Sequence, residues 1–202
     1  MKTAICLFGI SRQEYSRHGR PIDYRKSLQN YRDHLFPYFL SKGAVDLYLC
    51  TNIVREKELE ELILDYDPCS IECIDNISDI YTSRNKKITS VVKNVLESKK
   101  IYDIICVTRF DLHFMEPLEK AALDLTRMNI VSILEEPNTI CDNFYLFPGF
   151  MLLPFYETLI ASPHKGHHWI KNEIEKNIQQ DIHFIKDERC LVADLSFYKI
   201  VR

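Results

Sequence analysis

The run Ile101-Tyr-Asp-Ile-Ile-Cys-Val-Thr-Arg-Phe-Asp-Leu-His-Phe114 decides how the rest of the chain is read. Its first part is apolar and rich in β-branched residues, which predicts a buried strand over Tyr102 to Thr108. It then emerges into a short polar tip carrying Arg109, Asp111 and His113. Residues two apart on an extended chain point the same way, so these three side chains are expected to share one face. A guanidinium, a carboxylate and an imidazole gathered at the exit of a buried strand could hold a metal ion and a phosphorylated ligand together.

Outward from that run, short apolar stretches alternate with longer helical patterns. Thr3 to Phe8 reads as a strand ending at Gly9, Val45 to Cys50 as a second and Ser70 to Ile74 as a third. Between them, Leu28, Tyr31, Leu35 and Phe39 recur at helical spacing over Ser27 to Leu40, with Pro37 expected to kink or end that helix. Val54 to Asp65 gives another helix, stopped by Asp67-Pro68. The clearest helix runs from Arg84 to about Lys99, with Ile88, Val91, Val92, Val95 and Leu96 on one side and Thr82 or Ser83 as its cap. Further on, Ile130 to Leu134 and Phe144 to Phe147 are strand candidates, Ile170, Ile174 and Ile178 mark a late helix, and Leu195 to Val201 a closing strand.

This alternation predicts an α/β fold, with a mainly parallel central sheet flanked by helices on both faces. In such sheets ligands bind beyond the carboxyl ends of the strands. Here those ends are Gly9-Ile-Ser-Arg12, Thr51-Asn52, Asp75-Asn76 and Arg109 to His113.

Composition narrows the class further. A chain of 202 residues, 46% hydrophobic, suits one domain with one sizeable core. A formal charge of −3 lacks the basicity of a nucleic-acid binder, so no nucleic-acid partner is expected. Seven cysteines without paired CxxC spacing fit a reducing compartment. No leader is expected from the short apolar run after Met1-Lys2, and the richest apolar stretch, Phe144 to Tyr156, is broken by Pro148 and Pro154. It falls short of the roughly 20 apolar residues that span a bilayer, so no transmembrane segment and a cytoplasmic location are expected.

Several side chains could carry chemistry. Asp111 and His113 form an Asp-x-His pair, and a cation bridging two phosphates needs only one or two protein ligands. A carboxylate with an imidazole suits Mn²⁺ somewhat better than Mg²⁺, and such an ion would neutralise a departing diphosphate. Arg12, Arg17 and Arg20 follow the first strand in a loop with Gly9 and Gly19, where guanidinium forks match phosphate oxygens. Arg109 could meet phosphate or hold Asp111 in place. Tyr81-Thr-Ser-Arg-Asn85 opens a helix whose amides favour an anion, with Arg84 or Asn85 near a base or ribose. Asp142, or Glu135 and Glu136, could act as a general base on an acceptor hydroxyl. Pro163-His-Lys-Gly-His-His168 lacks the helix spacing of zinc enzymes and reads as a surface loop. With five glycines in all and no GxxxxGK[ST], GxGxxG or GxSxG pattern, phosphate must be held by side chains and metal rather than a glycine-rich cradle.

The order of these pieces resembles a known family. Ala4-Ile-Cys-Leu-Phe-Gly-Ile-Ser-Arg12, Val45-Asp-Leu-Tyr-Leu-Cys-Thr51, Ser83-Arg-Asn85, Tyr102-Asp-Ile-Ile-Cys-Val-Thr-Arg-Phe-Asp111, Asp142-Asn-Phe-Tyr145 and Phe197-Tyr-Lys-Ile-Val-Arg202 follow one another. Together they are similar to small nucleotide-sugar-dependent glycosyltransferases of the GT-A fold, of the bacterial-polysaccharide and large-virus glycan kind. The resemblance implies a single GT-A-like domain over residues 1–202, with a nucleotide-binding half at 1–116 and an acceptor-binding half at 117–202. It implies Mn²⁺ or Mg²⁺ at Asp111 and His113, the counterpart of an Asp-x-Asp motif in the Asp-x-His form used by some enzymes that attach N-acetylgalactosamine. It implies a nucleoside-diphosphate sugar donor, with UDP-sugars first, along Gly9, Ser11, Arg12, Thr51, Asp75, Arg84, Asn85, Arg109 and Asp111. A glycan or glycoconjugate hydroxyl would accept the sugar, with Asp142 or Glu135 as base. A nucleotidyltransferase, a sulfotransferase-like enzyme, or a binding domain of the same fold without catalysis are the alternatives.

Overall fold

The computed structural model of the protein describes residues 1–14, 21–75, 79–134, 139–161, 171–178, 182–186 and 196–201. The chain runs through β1 (Lys2–Phe8), β2 (Arg12–Gln13), β3 (Ile22–Asp23), α1 (Arg25–Asn30), a π-helical turn (Tyr31–Leu35), α2 (Phe36–Leu40), β4 (Ala44–Asn52), α3 (Glu56–Tyr66) and β5 (Ser70–Ile74). It continues through α4 (Ile80–Glu97), β6 (Ile104–Arg109), β7 (Leu112–Phe114), β8 (Asn129–Ile130), β9 (Phe144–Pro148), α5 (Leu152–Ala161), α6 (Lys171–Ile178), β10 (His183–Phe184) and β11 (Tyr198–Ile200).

The expected mainly parallel sheet is present. Seven strands lie in the order β10-β8-β9-β6-β1-β4-β5. β5, β4, β1 and β6 are mutually parallel, β9 runs against both of its neighbours, and β10 is parallel to β8. β1 lies at the centre because it is apolar along its length: Ala4 to Phe8 are wholly inaccessible, as a strand covered on both faces requires. α4 packs on β1, β4 and β5 and carries α5, which in turn carries α6. The other layer is made by α1, α2, α3 and β7, joined through the ring pairs Tyr24–Tyr66, Phe36–Tyr66 and Tyr31–Phe114. On α4, Ile88, Val91, Val92 and Val95 are all buried, and each such side chain contributes about 1.5–3 kcal/mol by leaving water.

Pro37 does not end its helix, which continues as α2 to Leu40. The preceding residues widen into the π-helical turn Tyr31–Leu35, in which the amide of Phe36 donates to the carbonyl of Tyr31. Proline lacks an amide and its ring crowds the preceding turn, so a locally wider ladder accommodates it. Other boundaries also move. α4 begins at Ile80, earlier than expected, and Thr82 and Ser83 lie inside it; the Asp79 carboxylate accepts from the Thr82 amide (2.9 Å). The strand predicted at Ile130 to Leu134 shrinks to β8 and a bridge between Ile133 and Ile140. The apolar stretch beyond Phe144 divides into β9 and α5. Ile170 and Leu195 lie outside the described residues. Among the described residues no helix is long and apolar enough to cross a membrane.

The topology fixes where a ligand can sit. The chain leaves β1 toward β4 on one side, whereas β6 leads toward β9 on the other. The crevice between the carboxyl ends of β1 and β6 is therefore the switch point of the sheet.

Candidate functional site

At the end of β6 the chain does not run on straight. Phe110 and Asp111 form a turn, and β7 leaves to pair with β11 in a separate two-stranded sheet. The turn is tied from three sides. Tyr31 donates its hydroxyl to the Arg109 carbonyl and accepts from the Leu112 amide (3.2 Å), Ser27 donates to the Phe110 carbonyl, and the Val201 amide donates to the Asp111 carbonyl (2.8 Å). Phe110 is wholly buried, with its ring 6.0 Å from that of Tyr66.

This turn overturns the expected common face of Arg109, Asp111 and His113. Asp111 folds back so that Arg109 Nε and Nη2 each donate to one carboxylate oxygen at 2.6 Å, a bidentate fork. His113 stays on β7, half-buried and paired in register with Lys199. Partial burial, then Lys199 and His34, lower the basicity of its ring. The two residues as placed do not fit a divalent cation: the Asp111 oxygens are engaged by Arg109, and His113 stands on β7 opposite Lys199. Among the described residues no group of three or more His, Cys, Asp or Glu side chains gathers as a metal site.

A second arginine–aspartate pair lies beside the first. Arg84, on α4, forms an ion pair with the Asp142 carboxylate and donates through Nη2 to the Asp142 carbonyl (2.6 Å). Its guanidinium also lies over the ring of Phe8, the last residue of β1, at 5.8 Å. Asn143 joins the two pairs. Its Oδ1 accepts from Arg84 Nη2 at 3.0 Å and from Arg109 Nη1 at 3.2 Å, while its amide donates to the Tyr198 hydroxyl at 2.6 Å. The Asn143 carbonyl accepts from Thr108 Oγ1 (3.1 Å). Because β9 runs antiparallel to β6, residue 143 at its start lies beside residue 109 at the other's end.

The electrostatics of this quartet balance. Burial opposes the charge on Arg109, but the neighbouring Asp111 and Asp142 carboxylates outweigh it and hold the guanidinium protonated. Charges out of water persist only when paired and hydrogen-bonded. The Asp111 and Asp142 side chains are 7% and 3% exposed, the Arg109 and Arg84 side chains 18% and 17%, so the cationic groups are the more accessible members.

The other expected site residues divide. Gly9 sits at the switch point with φ +120°, and a Cβ there would meet nothing within 4 Å, so open space adjoins its backbone. Ser11 and Thr51 are buried and committed to each other: Thr51 donates to Ser11 Oγ (2.7 Å), and the Ser11 amide donates to Thr51 Oγ1 (3.0 Å) and Asn52 Oδ1 (3.2 Å). They fix the loop after β1 to the end of β4. Arg12 is turned to α3, with ion pairs to Glu58 and Glu61 at 3.3 Å, and does not join the arginine pair. Asp75 is exposed at the end of β5, and Asn85 is buried on α4. Nearby Lys87 is also buried and donates to Ser83 Oγ (2.8 Å); burial lowers its basicity, partly offset by Cys50 and Asp75. Asp142, expected as a base, is the counter-ion of Arg84. Glu135, Glu136, Arg17, Arg20 and the 163–168 loop lie outside the described residues.

Asn143 and Tyr198 lie in stretches that carry the family resemblance, but the sequence gives neither of them a role. Asn143 follows Asp142 directly, and only the antiparallel pairing of β9 with β6 gives it a role. Comparison with protein-family models and with characterised proteins finds no match for this chain.

Proposed function

We propose that the protein is a glycosyltransferase that takes its sugar from a nucleoside-diphosphate sugar, a UDP-sugar foremost, and passes it to a glycan or glycoconjugate hydroxyl. The observation that carries this reading is the convergence of Arg84 and Arg109 on one Asn143 oxygen at the switch point of the sheet. Two guanidiniums placed together there suit a diphosphate, whose charge grows as it departs, and preorganised donors aimed at developing charge are the strongest catalytic device available to such a site. The open space at Gly9 leaves room for close approach to the backbone. Asp75 and Asn85, at the end of β5 and on α4, are the candidates for the nucleoside end. The topology is compatible with a GT-A-like domain, with the acceptor bound by the second half of the chain.

Mn²⁺ or Mg²⁺ at Asp111 and His113 is not part of this proposal, since those residues as placed do not fit it. A nucleotidyltransferase or sulfotransferase-like enzyme would also use an anion site at strand ends, and a binding domain would use it without turnover. The test is incubation with UDP-, GDP- and CMP-sugars while free nucleotide is quantified. Release of one nucleoside diphosphate, faster with a glycan acceptor, is expected. Absence of turnover with every donor, together with no nucleotide binding, refutes the proposal.

A further inference from the structure

We infer that Arg84 and Arg109, held side by side by Asn143, bind the diphosphate without a divalent cation, Arg109 taking the place that a metal would have beside Asp111. This rests on the glycosyltransferase reading and deepens it. Three features support it.

The first is occupancy. Both Asp111 oxygens receive Arg109 at 2.6 Å, so the carboxylate that would anchor a cation already anchors a permanent one. The second is unused capacity. A guanidinium has about five N–H donors. Asp111 and Asn143 take three from Arg109, through Nε, Nη1 and Nη2. Asp142 and Asn143 take three from Arg84, through Nη1 and Nη2, so neither guanidinium has all its N–H groups committed. The third is charge. His113, the second residue a cation would need, is paired across β7 and β11 with Lys199, which repels one.

Asn143 is the positioning residue. Each guanidinium has its own carboxylate, and a neutral oxygen accepting from both holds the two side by side without adding a third negative charge. In the transfer step the acceptor oxygen bonds to the anomeric carbon as the bond from that carbon to the diphosphate oxygen breaks. The electron pair stays on the diphosphate, where the two arginines meet it, and the hydroxyl proton passes to solvent.

The test is calorimetry with UDP, GDP and CDP, each in EDTA and in Mn²⁺, with circular dichroism of every variant. The nucleotide that binds is expected to bind in EDTA, with affinity changed less than about threefold by Mn²⁺, well under the tenfold that corresponds to 1.4 kcal/mol. Arg109→Lys and Arg84→Lys keep the charge but lose the fork, and each is expected to weaken binding by about tenfold or more. Asn143→Asp, which places a carboxylate between the guanidiniums, is expected to weaken it similarly while the fold is kept. Asp111→Asn, which loosens the hold on Arg109, is expected to tighten binding. Binding seen only with Mn²⁺ and abolished in Asp111→Asn overturns this inference and leaves the glycosyltransferase reading intact. Binding of no nucleotide, with or without metal, overturns both.

Discussion

Replacing Asn143 with leucine tests whether the two ion pairs form one unit. The side chain is largely buried, at 7% exposed, and leucine repeats its branched outline with two bulkier methyl groups in place of the polar atoms. The substitution removes an acceptor shared by two guanidiniums, at 3.0 and 3.2 Å, and a donor to Tyr198 at 2.6 Å. Hydrogen bonds to charged groups contribute about 1.5–3 kcal/mol each and neutral ones about 0.5–1.5 kcal/mol. Both arginines keep their carboxylates and reach some solvent, so the lower ends apply, and burying leucine offsets part of the loss. The expected cost is about 3 kcal/mol. For a chain of this size that lowers Tm by about 6–12 °C. Urea unfolding followed by circular dichroism at pH 7 measures it, with m unchanged. A loss under about 1 kcal/mol would show that the arginines do not depend on Asn143, and the shared-acceptor argument would fail.

Other perturbations reach different parts of the molecule. Gly149→Ala puts a Cβ 1.8 Å from the backbone oxygen of Tyr102, so backbone must shift; a loss of about 2–3 kcal/mol is expected in the same urea assay, and a neutral result contradicts the packing. Gly9→Ala meets no atom but must hold φ +120°, and is expected to cost about 1–2 kcal/mol by strain alone, with nucleotide affinity falling as well. Asp46 is opposed by burial, but hydrogen bonds from Tyr102 and Lys100 and the charge of Lys2 bring its pKa to about 2. Its stabilisation is therefore full above the ordinary carboxylate range and lost as pH falls through about 2. With Lys2 and Lys100 well exposed, acid titration of Asp46→Asn should show a loss of only about 1 kcal/mol at neutral pH. The lowered basicity of His113 acts in the opposite sense to a gained partner: the neutral ring is favoured in the fold, so stability declines as pH drops below the unfolded value of about 6.5 and levels off below the folded one. His113→Gln should flatten that decline; an unchanged pH profile argues against it.

The parallel half of the sheet was legible because its strands are apolar throughout and bounded by Gly9, Asp67-Pro68 and the capped helix before β6. Period and composition mark such strands without tertiary knowledge. The strand ends were legible for the same reason, which brings out Arg109 and Asp111, while Arg84 comes from the helix that Tyr81 to Asn85 opens. Their arrangement was not. Whether Arg109 reaches phosphate or holds Asp111 depends on the Phe110–Asp111 turn, which Tyr31, Ser27 and Val201 impose from far along the chain. Two-residue alternation would have continued through that turn. Arg12 looked best placed by its nearness to the strand end, yet Glu58 and Glu61 on α3 draw it away, a charge pairing that spacing does not reveal.

The closing strand gives the site a place in time. β11 pairs with β7, Tyr198 holds the Asn143 amide, and Val201 bonds the Asp111 carbonyl. During synthesis the parallel strands β1, β4, β5 and β6 emerge early and have their partners in hand, whereas the bonds to the Asn143 amide and the Asp111 carbonyl wait for residues 198–201. The Asp111 turn and the Asn143 side chain thus depend on residues far along the chain from the strands they adjoin. A ribosome stalled before residue 198 would hold the parallel strands without the bond from Asn143 to Tyr198 or from Val201 to Asp111.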